Sequence, residues 1–237
     1  MRYLTGWRQP LPVERLDRAH PLAPDLVCIV ANQGAYGGVD ELGNEWATEG
    51  TPGERGGRQG LATRFTTGQS WTNTTVLLPT TACSIVMVVN SEDVNAQGSV
   101  CGNLDNAELA RCQVHLPYVG GIYWDFGGFT AGVSRLSYTP AGGFWGTWHH
   151  MAFTAGPRGM AIYEDGETKT SHTTAASRQA GSPATGFQVG KWNTQHDTAQ
   201  IESLFVYSRQ LNAAEVAALV INPYQMFTTP SPFGGRP

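Results

Sequence analysis

The stretch WGTWHHMAFTAGPRGMAIYEDGETKT, residues 145–170, decides the fold. Trp148 to Thr154 is aromatic and apolar with few breaks, Gly156 to Gly159 supplies turn residues, and Met160 to Glu164 is a second strand-like run. Asp165 and Gly166 then form the two-residue signal of a type I′ hairpin, which leads into a third strand from Glu167 to Thr170. The reading is an antiparallel meander, with Trp148 as a large side chain in its core.

The composition of the whole chain agrees with short strands joined by turns. Of its 237 residues 14% are charged, 29 are Gly and 14 are Pro, whereas helices would need periodic blocks of Ala, Leu, Glu and Lys. A hydrophobic fraction of 41% suffices for one large core. The net charge of −4 comes from scattered residues, with no basic run interleaved with aromatics, so a nucleic-acid partner is not expected. No apolar run approaches the length of a membrane span. Cys28, Cys83, Cys101 and Cys112 show no metal-type spacing and sit in or beside predicted strands. Because the N-terminus MRYLTGW lacks the apolar segment of a signal peptide, these are expected to be buried reduced thiols of a protein made in a reducing cytoplasm.

In chain order, residues 1–25 carry Pro10, Pro12, Pro21 and Pro24 and read as an extended arm. Trp7, Leu11, Val13 and Leu16 would give such an arm something to bury, tying the domain to a neighbouring subunit; the alternative is a disordered leader. The domain proper runs over 26–227. Leu26 to Ala31 is its first strand, followed by a Gly- and Asn-rich loop to Gly60. Strands are expected at Thr63 to Thr66, Trp71 to Leu78 and Cys83 to Asn90; the last is apolar on both faces and so central in a covered sheet. After a possible helical turn near Asn106 to Arg111, strands follow at Gln113 to Leu116, Gly121 to Phe126 and Arg135 to Tyr138. Alternation in Gly121 to Phe126 sets Ile122, Trp124 and Phe126 on one face and Tyr123 with Asp125 on the other. Past the meander come a polar loop from His172 and closing strands at Phe187 to Lys191 and Ile201 to Tyr207. The one convincing helix has Asn212 as N-cap and Glu215 as capping-box partner, and it stops at Asn222-Pro223. The segment 228–237 is a Pro- and Gly-rich tail, flexible or docked on a partner.

The residues 148–154 and 161–166, WHHMAFT and AIYEDG, resemble the central hairpin of laminin-G-like domains in the concanavalin-A-like lectin/glucanase group. The usual form there is W-H-H-V-A, a variable turn, then Y-V-D-G, and Glu164 departs from it at a strand end. His20-Pro21-Leu22, residues 120–128 (GGIYWDFGG) and Ile201 to Phe227 are similar to the versions encoded by tailed bacteriophages, so the resemblance covers His20 to Phe227. It implies an all-β jelly-roll sandwich of two antiparallel sheets with one short C-terminal helix. It also implies a structural protein of a phage virion, as a head decoration or other surface position, or else in a tail or fibre. Its partners would be other capsid or tail subunits, with the chain a homo-oligomer or present in many copies per particle, and its location the virion.

Chemistry is sparse. The laminarinase-type hydrolases of this group carry E-x-D-x-x-E on one strand, and that spacing is missing: Glu92 and Asp93 are adjacent, and Glu164 to Glu167 belongs to a hairpin. His149 and His150 are adjacent on a strand, so they point to opposite faces, and the resemblance makes both structural. No nucleophile elbow is present. No cofactor is expected. Calcium, which many relatives hold at the sandwich rim, has only weak candidates in Asp40, Glu41, Asn44 and Asp197, for which turn capping is the simpler account. For sugar recognition the rim loops offer Tyr36, Trp46, Tyr118 and Trp192, beside Asn32, Asn44 and Asn193. Three readings stand: a non-enzymatic virion protein, a glycan-binding receptor module, and a glycoside hydrolase.

Overall fold

The computed structural model describes residues 15–31, 38–92, 97–105, 107–181, 185–192 and 194–228. In chain order the strands begin with β1 (Arg15–Leu16), β2 (Leu26–Ala31), β3 (Ala47–Glu49), β4 (Gly53–Gly56), β5 (Leu61–Phe65) and β6 (Ser70–Leu77). They continue with β7 (Cys83–Ser91), β8 (Cys101–Asn103), β9 (Cys112–Tyr118), β10 (Gly121–Phe126), β11 (Arg135–Tyr138), β12 (His149–Gly156) and β13 (Gly159–Glu164). The last are β14 (Glu167–His172), β15 (Thr185–Val189), β16 (Lys191–Trp192), β17 (Gln195–His196), β18 (Ala199–Tyr207) and β19 (Phe227–Thr228), with helix α1 (Ala213–Ile221) ahead of β19.

Two antiparallel sheets carry the fold. One has seven strands in the order β11-β10-β9-β8-β15-β6-β3; the other is built on β14-β13-β12-β7-β18-β5-β4, with β2 also paired to β18. The meander is the outer part of the second sheet, and its two-residue turn falls at Asp165 and Gly166, whose φ angles of 50° and 86° are those a type I′ turn requires. Strand β7 lies between β12 and β18 and is buried along its whole length, as its apolar sequence on both faces demands.

Two apolar clusters follow from this layering. The larger fills the space between the sheets and includes Phe65, Trp71, Met87, Val114, Trp124, Phe126, Phe153 and Leu204. The smaller lies on the opposite face of the β7 sheet, where Val86, Phe205 and Tyr207 meet Val216 and Leu219 of α1. Helix α1 is started by the capping box expected for Asn212 and Glu215, with both reciprocal hydrogen bonds formed. Arg15–Leu16 pairs with Phe227–Thr228, and Leu22 and Ala23 are buried in the smaller cluster, so residues 15–25 pack on the chain's own domain.

Three expectations are corrected. Trp148 is half-buried and belongs to neither cluster; the ladder begins one residue later, at His149 opposite Val89, and the large core positions are taken by Trp71 and Trp124. The polar segment 47–56 contains strands β3 and β4, whose pairing to β6 and β5 is made by backbone groups with almost no apolar pattern to announce it. Strand β14 runs on to His172, opposite Met160. All four cysteines are buried and unbridged, and the Cys112 and Cys83 sulfurs lie 3.9 Å apart between the two sheets.

Candidate functional site

The seven-stranded sheet has one face in the core and one turned away from it. Strand register sets Ala47, Thr72, Gln188, Gly102, Gln113, Asp125 and Arg135 in one cross-strand row on the outward face. The next row brings His115 beside Tyr123 and Tyr123 beside Ser137. The alternation read from Gly121 to Phe126 therefore places Tyr123 and Asp125 as expected, and it has a polar row to join.

Asp125 is the electrostatic centre. It has no solvent exposure, and the Arg135 guanidinium grips it with both arms: Nε donates to Oδ1 at 2.6 Å and Nη2 to Oδ2 at 2.5 Å. Arg111 Nη1 and His115 Nε2 stand 3.7 and 3.6 Å from Oδ2. Burial alone would raise the carboxyl's pKa, but the paired hydrogen bonds from Arg135 outweigh it and hold the group below its ordinary value. The Asp125 carboxylate in turn raises the pKa of Arg135.

Around this pair lies an aromatic strip. The Tyr118 and Tyr123 rings meet edge to face at 5.7 Å, the Arg135 guanidinium lies 5.1 Å from the Tyr123 centroid and 5.6 Å from that of Phe129, and Arg111 lies 5.2 Å from Phe129. Phe129 is 45% exposed, and Tyr118, Tyr123, Arg111 and Arg135 are partly exposed. The middle of the face is roofed: Gln113, fully buried, donates from Nε2 to Ser99 Oγ at 2.7 Å and to Gln195 Oε1 at 3.1 Å, in the β16–β17 hairpin.

The sequence candidates separate accordingly. Tyr118 belongs to the aromatic strip, and Trp192 pairs through its backbone with Gln195, in the hairpin that roofs the same face. Trp46 does not belong there: it is only 8% exposed and packs in the core between the sheets, its indole donating to Asp40 Oδ2 at 3.4 Å. Tyr36, Asn32 and Asn193 lie outside the described residues. Asp40 is a turn cap, accepting from the backbone N–H groups of Leu42 and Asn44 and from the Asn44 amide. Asp197 is buried and accepts from Ser91 Oγ at 3.4 Å, with different partners from Asp40, so the weak calcium candidates do not converge. Sequence reading missed Arg111, His115, Phe129 and Arg135; only the two-residue alternation around Asp125 pointed toward them.

Among the described residues, no two strand-borne carboxylates on this face stand close together. Of the carboxylates carried by strands on this face, Asp125 is on β10 and Glu49 on β3, five strand positions away, and Glu49 is paired with Lys191. At about 4.8 Å per strand that is roughly 24 Å, against the ~5–9.5 Å that paired carboxylates need. At the edge of the other sheet His149, Glu164 and Asp165 bring ligand-type atoms within 4.8 Å of one another.

This chain belongs to the concanavalin A-like lectin/glucanases superfamily, whose laminin-G-type family model matches residues 64–217. No curated protein matches it. Among solved structures it is similar to domain 4 of AbnA, a GH43 extracellular arabinanase from Geobacillus stearothermophilus, in complex with arabinotriose. That similarity has a TM-score of 0.64 at 16% identity, covering 83% of this chain and 98% of that one. It is also similar to the binding domain of Paraclostridial Mosquitocidal Protein 1, with a TM-score of 0.62 at 14% identity over 86% of this chain and 53% of that one. The botulinum neurotoxin serotype D ligand binding domain in complex with N-acetylneuraminic acid gives 0.61 at 12% identity, over 83% and 50%. The chain thus spans nearly all of the arabinanase domain and about half of the toxin domains. These likenesses define the fold, a concanavalin-A-like jelly roll. Among the described residues no helix is long and apolar enough to cross a membrane.

Proposed function

We propose that this protein is a non-enzymatic carbohydrate-binding module that takes its ligand on the outward face of the seven-stranded sheet. The observation that carries the reading is the partly exposed strip of Tyr118, Tyr123, Arg135 and Phe129 over the buried Asp125. Aromatic rings stack on the apolar face of a sugar ring, and guanidinium donors beside them hydrogen-bond its hydroxyls. Arabinotriose on the arabinanase domain and N-acetylneuraminic acid on the toxin domain support a sugar as ligand class. The separation of Asp125 from Glu49 argues for binding without cleavage. A glycan array of oligosaccharides, probed with the purified protein, tests this. Saturable binding with no release of reducing ends from the bound glycan supports the proposal, and an array without hits, or hydrolysis of the bound glycan, contradicts it.

A second reading concerns where the module works. The similarity of Ile201 to Phe227 to phage-encoded domains favours a tailed-bacteriophage virion, with the module in many copies as a head decoration or in a tail or fibre, attached to capsid or tail subunits. Mass spectrometry of purified particles tests it. Peptides of this chain at high copy number support the reading, and their absence from particles contradicts it.

A further inference from the structure

The meander that fixes the fold also gathers three ligand-type side chains whose hydrogen bonding leaves them short of a positive charge. His149 Nε2 lies 2.8 Å from Thr147 Oγ1, and that hydroxyl has only carbonyls for its own proton, Phe144 O at 2.6 Å and Gly143 O at 2.9 Å. The hydroxyl therefore accepts from His149 Nε2–H, and in the neutral ring the lone pair sits on Nδ1. Nδ1 faces Asp165 Oδ2 at 2.9 Å and Glu164 Oε1 at 3.8 Å. The other oxygen of each carboxylate is engaged from outside the cluster: Tyr138 donates its hydroxyl to Glu164 Oε2 at 2.8 Å, and the His150 N–H donates to Asp165 Oδ1 at 3.0 Å, with Arg58 Nη1 4.0 Å away. Phe144 stacks on the imidazole at 4.1 Å and fixes the plane of its ring. In the neutral ring three acceptors converge, and a cation bound among them satisfies all three.

We propose that His149, Glu164 and Asp165 bind a divalent transition ion, zinc in particular. In a tetrahedral zinc site with bonds of about 2.1 Å, neighbouring ligand atoms stand about 3.4 Å apart. The distances of 2.9 and 3.8 Å from Nδ1 straddle that value, so a small adjustment seats the ion. The imidazole argues for zinc over calcium, which takes six to eight oxygens. Thr147, Tyr138, the His150 amide and Phe144 orient the ligands as outer partners orient those of metal sites generally. The three side chains are 14–24% exposed, which leaves a fourth position for water or for a group on a bound partner.

The test is calorimetric titration of zinc chloride into the full chain, tag-free and stripped with a chelator, in parallel with calcium chloride. Zinc is expected to saturate at one equivalent and to raise the melting temperature, and calcium to give no heat. His149→Gln and Glu164→Gln, which keep size and fold as judged by circular dichroism, should each weaken zinc binding at least about tenfold, as should be true of any ligand. His196→Ala, in a different hairpin, should leave it unchanged. Absence of saturable zinc binding, with a proton on His149 supplying the missing charge, would overturn the proposal. So would zinc binding that survives both ligand variants.

Discussion

Arg135 and Asp125 stand directly opposite each other on β11 and β10, and the guanidinium of the first holds both oxygens of the second, a carboxylate with no exposure to solvent. A buried charge so paired is far more costly to strip of its partner than to replace as a pair. Arg135→Met should therefore cost about 3–5 kcal/mol in urea unfolding, and Asp125→Leu/Arg135→Met should recover much of that loss. The folded pKa of Asp125 lies below its ordinary value, so its contribution is present above the unfolded value of about 3.9 and is lost as pH falls through the lower folded one. A stability profile below about pH 4 reads this directly, and the double variant should lack that acid step.

His150 gives a second pH signature with a different window. Burial first, and then the nearby positive charge of Arg58, push its pKa down from 6.5 to about 4. The folded state thus favours the neutral ring, so stability is fully present above the unfolded value of about 6.5 and is lost as pH falls toward 4. The loss amounts to about 3 kcal/mol. Chemical denaturation at a series of pH values should show this slope in the native protein. The difference between native protein and His150→Leu should account for it.

Burial separates the tryptophans sharply. Trp124 is wholly buried between the sheets, beside Phe126 and Phe153, and its indole donates to the Thr154 carbonyl at 3.2 Å. Trp124→Ala should cost about 3–5 kcal/mol. Trp148→Ala, at a half-buried position outside both clusters, should cost distinctly less, and equal losses of melting temperature for the two variants would contradict the packing described.

What could be read from sequence was what local pattern determines. The Asp165-Gly166 turn, the apolar run of β7, the alternation of β10 and the Asn212 cap each rest on a few neighbouring residues, and each stands in the structure. Long-range pairing was less legible. Arg135 reaches Asp125 only because a loop of eight residues, 127–134, returns β11 in that one register, and nothing in the loop's own sequence specifies it. Trp46, an aromatic in a Gly- and Asn-rich segment, looks like a rim residue; the turn capped by Asp40 directs it into the core. Strands β3, β4 and β8 are three or four residues long and held by backbone pairing, so they leave little trace in side-chain periodicity.

The central claim is that a sugar is held on the outward face of the seven-stranded sheet by the aromatic strip beside Arg135. Isothermal titration with the strongest array glycan, comparing native protein with Tyr123→Ala and Phe129→Ala, tests it most directly, provided each variant unfolds cooperatively. Each variant should weaken binding about 5- to 30-fold, since one stacked ring contributes on the order of 1–2 kcal/mol. Affinity unchanged in both would contradict the account and place the ligand on another surface.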